Sequence, residues 1–291
     1  MFATIGHTFG LMKMSWRVLM KDRELIFFPI MAAFTILLTV AVFGAVAAST
    51  GTFDRIDAVQ ADVPGAAMST GDVLLGIGVF FLTTFIGIFF NSALVAAALE
   101  RLRGGDPNVA SGLRVAMRHI HMIIGWAIIA ATVGLLLQLL RNMARQRFGF
   151  LGEIAVSVVG GVWAYLTFFV IPVLVAEGVG PIEAFSRSKS MFTKTWGRQF
   201  AASFGFGLVY IVAGLIALVP TAALFFVGTQ VAGAEGGVVL GVTGAALFFG
   251  IALGTVAAME GIFKAALYQY ANGETPLEFD RNTLSSAYRS L

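Results

Sequence analysis

Apolar residues in this chain do not follow the two-residue period of a half-buried strand or the 3.6-residue period of a surface helix; they come in long unbroken runs. Six stretches contain no Asp, Glu, Lys or Arg: Ile26–Ala48, Val73–Leu99, Ile120–Leu140, Ile154–Ala176, Ala201–Thr229 and Gly237–Met259. A helix rising ~1.5 Å per residue needs about 20 such residues to cross a hydrocarbon layer ~30 Å thick, and helices satisfy their own backbone groups where no water is present. The pattern therefore predicts an all-α membrane protein with six transmembrane helices over about 26–48, 73–99, 120–140, 154–176, 201–229 and 237–259.

Shorter segments between these runs do show helical periodicity. Val109, Leu113, Met117 and Ile120 fall on one face with Ser111, Arg114 and Arg118 turned away, and Ile182, Phe185 and Phe192 oppose Glu183, Arg187 and Lys194. Amphipathic helices are expected over about 8–22, 108–119 and 181–195, with a further short helix over 276–290. The segments before the odd spans also resemble one another: Ser15-Trp16-Arg17-Val18-Leu19-Met20-Lys21, Gly112-Leu113-Arg114-Val115-Ala116-Met117-Arg118 and, more weakly, Ser188-Lys189-Ser190-Met191-Phe192-Thr193-Lys194. Gly105-Asp106-Pro107, Gly180-Pro181 and Gly273-Glu274-Thr275-Pro276 follow the even spans, Gly stopping one helix and Pro suiting the start of the next. The expected architecture is three parallel repeats of an amphipathic helix plus a transmembrane hairpin, related by an axis along the membrane normal.

Composition sharpens the class. Hydrophobic residues make up 58% of the 291 positions, charged residues only 12%, and the mean hydropathy is +0.88, outside the range of a water-soluble domain. The longest connection, 49–72, is too short for a separate globular core, so residues 1–291 form one transmembrane domain. Its Gly, Ser and Asp content predicts an exposed, mobile external loop. Cysteine is absent, which removes disulfides, thiolate metal sites and a cysteine nucleophile. Of the 19 Lys and Arg residues, fifteen lie in the N-terminal segment, the 100–119 and 177–200 connections and the C-terminal region; only Arg55, Arg141, Arg145 and Arg147 lie on the other side. The positive-inside rule then puts both termini in the cytoplasm, and the formal charge of +3 reflects cations facing anionic lipid rather than nucleic acid.

Little enzymatic chemistry is visible. The three histidines, His7, His119 and His121, have no carboxylate at ligand spacing, and no HExxH, Walker or GxSxG sequence occurs. No catalytic residue, metal or cofactor is expected. Ionisable residues inside spans are the natural functional candidates, and the best is Glu260 with Lys264 one turn later, at the cytoplasmic end of the sixth span. Their i,i+4 spacing and order favour a structural ion pair whose lysine reaches the interface. Glu100 and Glu177, closing even spans, read as solvated or capping. Asn91, Ser92, Gln138, Tyr165 and Tyr210 read as interhelical hydrogen-bonding groups. Arg17, Lys21, Arg114, Arg118, Arg187 and Lys194 are the candidate lipid-headgroup contacts.

The run Pro172-Val-Leu-Val-Ala-Glu177-Gly-Val-Gly-Pro181-Ile-Glu-Ala-Phe-Ser-Arg-Ser188, with Lys194-Thr-Trp196-Gly197, resembles a family of uncharacterised prokaryotic six-span integral membrane proteins, a domain of unknown function. Ser15-Trp16 through Asp22-Arg23-Glu24-Leu25 and Pro29 also looks like that family's N-terminal pattern, so the likeness extends over nearly the full length. It implies the cytoplasmic membrane of a prokaryote and carries over no activity. Two functions follow: a non-enzymatic protein that organises lipid or a partner through its amphipathic collar, and, as the alternative, a small-solute transporter or channel around the pseudo-three-fold axis. Anionic membrane lipid, a protein partner and a second copy of the chain are the expected partners. Reporter fusions at residues 1 and 291 should be active only in the cytoplasm; an active periplasmic reporter at either end contradicts the orientation.

Overall fold

A computed structural model describes residues 2–195, 206–277 and 279. All its elements are helices, and no strand occurs among the described residues. In chain order they are α1 (Phe2–Lys21), a 3-10 turn (Arg23–Ile26), α2 (Phe27–Ser49), α3 (Thr52–Gln60), α4 (Thr70–Leu102), α5 (Val109–Arg118), α6 (Ile120–Leu166), α7 (Val170–Glu177), α8 (Pro181–Thr195) and α9 (Phe206–Ala271). Four segments are long and apolar enough to cross a membrane: Arg23–Ser49, Thr70–Leu102, Ile120–Glu177 and Val209–Ala271. The last two, at 58 and 63 residues, exceed twice the length a bilayer requires.

Both long segments fold back on themselves. Gly149 (φ 56°, ψ −136°) breaks α6, and Ala232 (φ −139°, ψ 28°) with Gly233 (φ 65°, ψ −159°) breaks α9. Trp126 and Trp163 would stand ~55 Å apart on one straight helix. Instead their rings stack with centroids 6.0 Å apart. The arms of α9 close equally tightly: a Cβ at Gly228 would lie 2.2 Å from the Gly236 carbonyl oxygen. The first five positions of the expected fifth span, and most of the expected 276–290 helix, lie outside the described residues.

The bundle has two different ends. At one, the 49–72 connection departs from the mobile loop expected of it. The Asp72 carboxylate, nearly buried, accepts hydrogen bonds from Thr52 Oγ1 (2.7 Å), Arg55 Nε (2.7 Å) and Nη2 (2.6 Å) and the Ser69 N–H (2.8 Å), while Ser69 Oγ accepts from the Asp72 N–H (3.1 Å). This capping box starts α4 and ties the short helix α3 onto it. The hydrogen bond to Asp72 also holds the Arg55 guanidinium pKa above its ordinary value. The Asp-rich composition suggested solvation, but one of those carboxylates organises the connection.

The opposite end holds the core. There α4, α7 and the second arm of α9 pack against one another through fully buried, mostly small residues, including Ala93, Ala97 and Ala98 of α4, Val170 and Val173 of α7, and Ala265 and Ala266 of α9. Arg101 grips the buried Asp22 carboxylate with two guanidinium nitrogens, and its Nη1 donates to the Gly105 carbonyl (3.2 Å). Leu277 N–H donates to the Leu102 carbonyl (3.1 Å), and Glu24 Oε2 accepts from the N–H of Val109 at the start of α5 (3.2 Å). Away from this end, large apolar side chains such as Phe34, Leu37, Val219 and Val231 point outward, as a lipid-facing surface requires.

The short helices α1, α5 and α8 seat on this core in a common way. Ser15, Gly112 and Ser188 are buried, and so are Leu19, Ala116 and Phe192 four residues later. α1 contacts α9, α5 contacts α4, and α8 contacts α6 and α7. Ser188 Oγ donates to the Leu166 carbonyl (2.8 Å) and accepts from the Phe169 N–H (3.0 Å). The expected apolar faces are met at Val109, Leu113, Phe185 and Phe192, which are buried or pack on the core, and fail at Met117 and Ile182. Met117 is 54% exposed and Ile182 75% exposed, because the inward faces centre on small residues. Backbone left-handed turns after α4 and α7 likewise fall at Gly104 and Gly178 rather than Gly105 and Gly180, with Gly273 as expected.

At Gly112 a Cβ would meet both the Ala93 carbonyl oxygen and Phe28 Cζ at 2.6 Å, whereas at Gly161 it would meet nothing within 4 Å. Gly112→Ala should therefore cost about 1–3 kcal/mol. Gly161→Ala should be neutral or stabilising by about 0.5–1 kcal/mol. Thermal unfolding of the two variants in one detergent checks the contrast.

Candidate functional site

Glu260 and Lys264 face the same side of the second arm of α9 and pair at 2.7 Å between Nζ and Oε1. The other carboxylate oxygen, Oε2, accepts from the Tyr210 hydroxyl on the first arm at 2.8 Å. The lysine ammonium also lies 5.5 Å from the centroid of the Phe168 ring, close enough for a cation–π contribution. Glu260 is 27% and Lys264 23% exposed at the side chain, so neither is solvated as a surface pair would be. The expected ion pair is present, and a third member joins it from fifty residues away.

Expected at the end of the sixth span, the pair is followed by eleven further residues of α9, to Ala271, a rise of ~16 Å. Glu260 stands level with Asn91 in α4, eight residues before the expected end of the second span at Leu99. The two helices approach closely here: a Cβ at Gly261 would sit 2.5 Å from Leu94 Cδ2 and 3.9 Å from Asn91 Oδ1.

Two cavities flank the cluster. One of 360 Å³ lies among α2, α4 and both arms of α9; the other, of 440 Å³, lies among α4, α6, α7 and α9. Asn91, Glu260 and Lys264 line both. Both volumes fall within the roughly 300–1,000 Å³ of small-molecule sites. The Asn91 amide has no hydrogen-bond partner among the described residues. Gln269, fully buried two turns beyond Glu260, also leaves both its amide atoms unpartnered there.

The candidate headgroup residues are not equivalent. Arg17 and Lys21 on α1 and Arg114 and Arg118 on α5 are exposed. Arg187 on α8 is instead held between two carboxylates, Glu177 through Nη1 and Glu183 through Nη2 at 2.6 Å. Glu177, expected to be solvated or capping, also accepts from the Tyr268 hydroxyl at 2.9 Å and so joins α7, α8 and α9. The Lys194 side chain lies outside the described residues. Asp22–Arg101 gave no local signal, because its partners are 79 residues apart. Among the described residues no three His, Asp or Glu side chains converge as metal ligands would.

Lys264→Met strands the Glu260 carboxylate in an apolar interior and should cost about 3 kcal/mol of stability, whereas the double change Glu260→Gln, Lys264→Met should return close to wild type. Unfolding of the single and double variants in detergent checks this. A double variant as unstable as the single one contradicts a self-contained pair.

Neither a curated protein nor a solved structure matches the chain. One family does, over residues 72–276, well over half of the length and including Asn91, Tyr210, Glu260 and Lys264. The N-terminal run 15–29, which also carried the resemblance seen in the sequence, lies outside that match. With the Glu260–Lys264–Tyr210 cluster, the central packing and α5 through α9 all inside the matched region, the chain belongs to a family of unknown function (DUF6159).

Proposed function

We propose that this protein is a six-span, multi-pass protein of a prokaryotic cytoplasmic membrane that organises anionic lipid, and through it a protein partner or a second copy of the chain, by means of a cytoplasmic helical collar, without catalysing a reaction. α2 and α4 each supply one crossing, and the paired arms of α6–α7 and α9 supply four. The shared burial at Ser15, Gly112 and Ser188, and at Leu19, Ala116 and Phe192, supports three parallel repeats. α1, α5 and α8 are the collar, on the end carrying the excess of cations, which supports cytoplasmic termini.

The observation that carries this reading is the packing at the collar end. Where α4, α7 and the second arm of α9 meet, Ala97, Ala98, Val173, Ala265 and Ala266 have no exposed surface, which supports a plugged axis over an open one. The transporter reading keeps one point in its favour, the Glu260–Lys264 pair between two cavities. Flux in proteoliposomes that is lost with Glu260→Gln in a folded protein would favour it over the collar.

The collar reading has a direct test in vesicles. Trp16 is 43% exposed on α1, so in a variant with Trp126, Trp163 and Trp196 replaced by Phe, quenching by brominated anionic against brominated zwitterionic lipid reports the lipid held there. Replacing Arg17 and Lys21, or Arg114 and Arg118, with Gln should lower the preference for anionic lipid by about fivefold per cation at low salt, and less at high salt. Arg187→Gln should instead lower thermal stability with little change in that preference. An anionic preference unaltered by all four collar substitutions contradicts the proposal.

A further inference from the structure

The 360 Å³ cavity is a trough about two helical turns long. Its walls are matched stripes from three helices: Pro29 to Ile36 on α2, Gly87 to Leu94 on α4, and Ala257 to Lys264 on α9. Each stripe advances seven residues, ~10 Å, parallel to the bundle, which is the direction in which a lipid tail lies. The trough is chemically graded. Ile36, Gly87 and Ala257 make its end far from the collar wholly apolar, whereas Asn91, Glu260, Tyr210 and Lys264 gather in its middle and collar-side part. Ala33, on its rim, is exposed at a level that faces lipid.

The polar part specifies what fits. Glu260 uses one carboxylate oxygen on Lys264 and the other on Tyr210, and the two charges cancel, so the trough has no net charge with which to hold an anion or a cation. The Asn91 amide remains, offering two donors and an acceptor with no partner among the described residues. In an apolar interior such a group is costly to leave unpaired. A hydroxyl, which both donates and accepts and carries no charge, completes it. An apolar chain attached to that hydroxyl fills the remainder.

We propose that this trough, opening sideways to the bilayer, is a binding site for an uncharged, hydroxyl-bearing lipid, such as a diacylglycerol or a long-chain alcohol, with its hydroxyl on Asn91 and its chain running away from the collar. The inference rests on the membrane-spanning reading and adds a ligand class that the collar does not select.

The test uses the full chain in phosphatidylcholine and phosphatidylglycerol vesicles with a diacylglycerol carrying a photoreactive diazirine in one acyl chain. Labelled peptides should come from 29–36 and 87–94. Excess unlabelled diacylglycerol or 1-dodecanol should compete; which of the two competes better separates a glycerolipid from a simple alcohol as the natural occupant. Dodecanoate, presented as the anion, should compete at least tenfold less. Asn91→Leu should reduce labelling at these peptides at least fivefold. Ala33→Trp, which fills the trough from its exposed rim and leaves the polar cluster untouched, should do the same, so the outcome does not depend on Asn91→Leu folding. Labelling spread evenly over the outer spans, equal competition by dodecanoate, or full labelling of Ala33→Trp overturns the proposal. Trp16 quenching in the same vesicles reports the collar separately, and failure to incorporate into vesicles at all would count against the membrane reading instead.

Discussion

Close approach of three helix backbones at one end of the bundle is the constraint on which the other features depend. α4, α7 and α9 meet through alanine and valine, and at Gly261 the Leu94 side chain occupies the space a Cβ would need. In lipid, no hydrophobic driving force distinguishes a helix neighbour from an acyl chain, so association relies on dispersion contacts and interhelical hydrogen bonds. Small residues maximise those contacts by letting backbones approach. The seat for α5 follows directly, since Gly112 rests on the Ala93 carbonyl, and so does the depth at which Glu260 meets Asn91.

Polar groups are distributed around that packing with different degrees of completion. Asp22 with Arg101, Asp72 with Arg55, and Glu177 with Arg187 and Tyr268 are multiply satisfied and join elements distant in sequence. Glu260 is satisfied on both oxygens. Gln269 and Asn91 are left without partners among the described residues, the first fully buried and the second half-buried, and they differ in kind. Gln269 is sealed within the packed core, where an apolar residue of similar volume would be expected to cost little. Asn91 borders two cavities, where something from outside the chain can reach it.

Much of the architecture was legible in the sequence because the property that defines a membrane crossing, absence of charge over twenty residues, is local and cumulative. The turns at Gly149 and Gly233 fall in the short connections that separate the charge-free runs. The third member of the cluster was not legible. A charge-free criterion ends the sixth span at Met259, but the helix continues to Ala271, and Tyr210 joins Glu260 and Lys264 from the other arm. The faces of α5 and α8 were legible in period and only partly in phase, since Val109, Leu113, Phe185 and Phe192 pack on the core as expected. Hydrophobicity gives weight to Met117 and Ile182, whereas close packing selects Gly112 and Ala116. The contacts of Arg101 and of Asp72 join points separated by two spans or by most of a connection, and no spacing rule reaches that far.

The Asp22–Arg101 contact also has a bearing on how the bundle is made. Both partners have been translated once the ribosome passes the end of α4, as have Arg55 and Asp72, so the first two spans can be locked at both ends before any later helix exists. Contacts that close the remainder, Tyr268 on Glu177 and Leu277 on Leu102, must wait for the last residues of the chain. The contacts thus divide by the order of synthesis: one set is complete within the first 101 residues, and the other joins α7 and the end of α4 to residues 268 and 277.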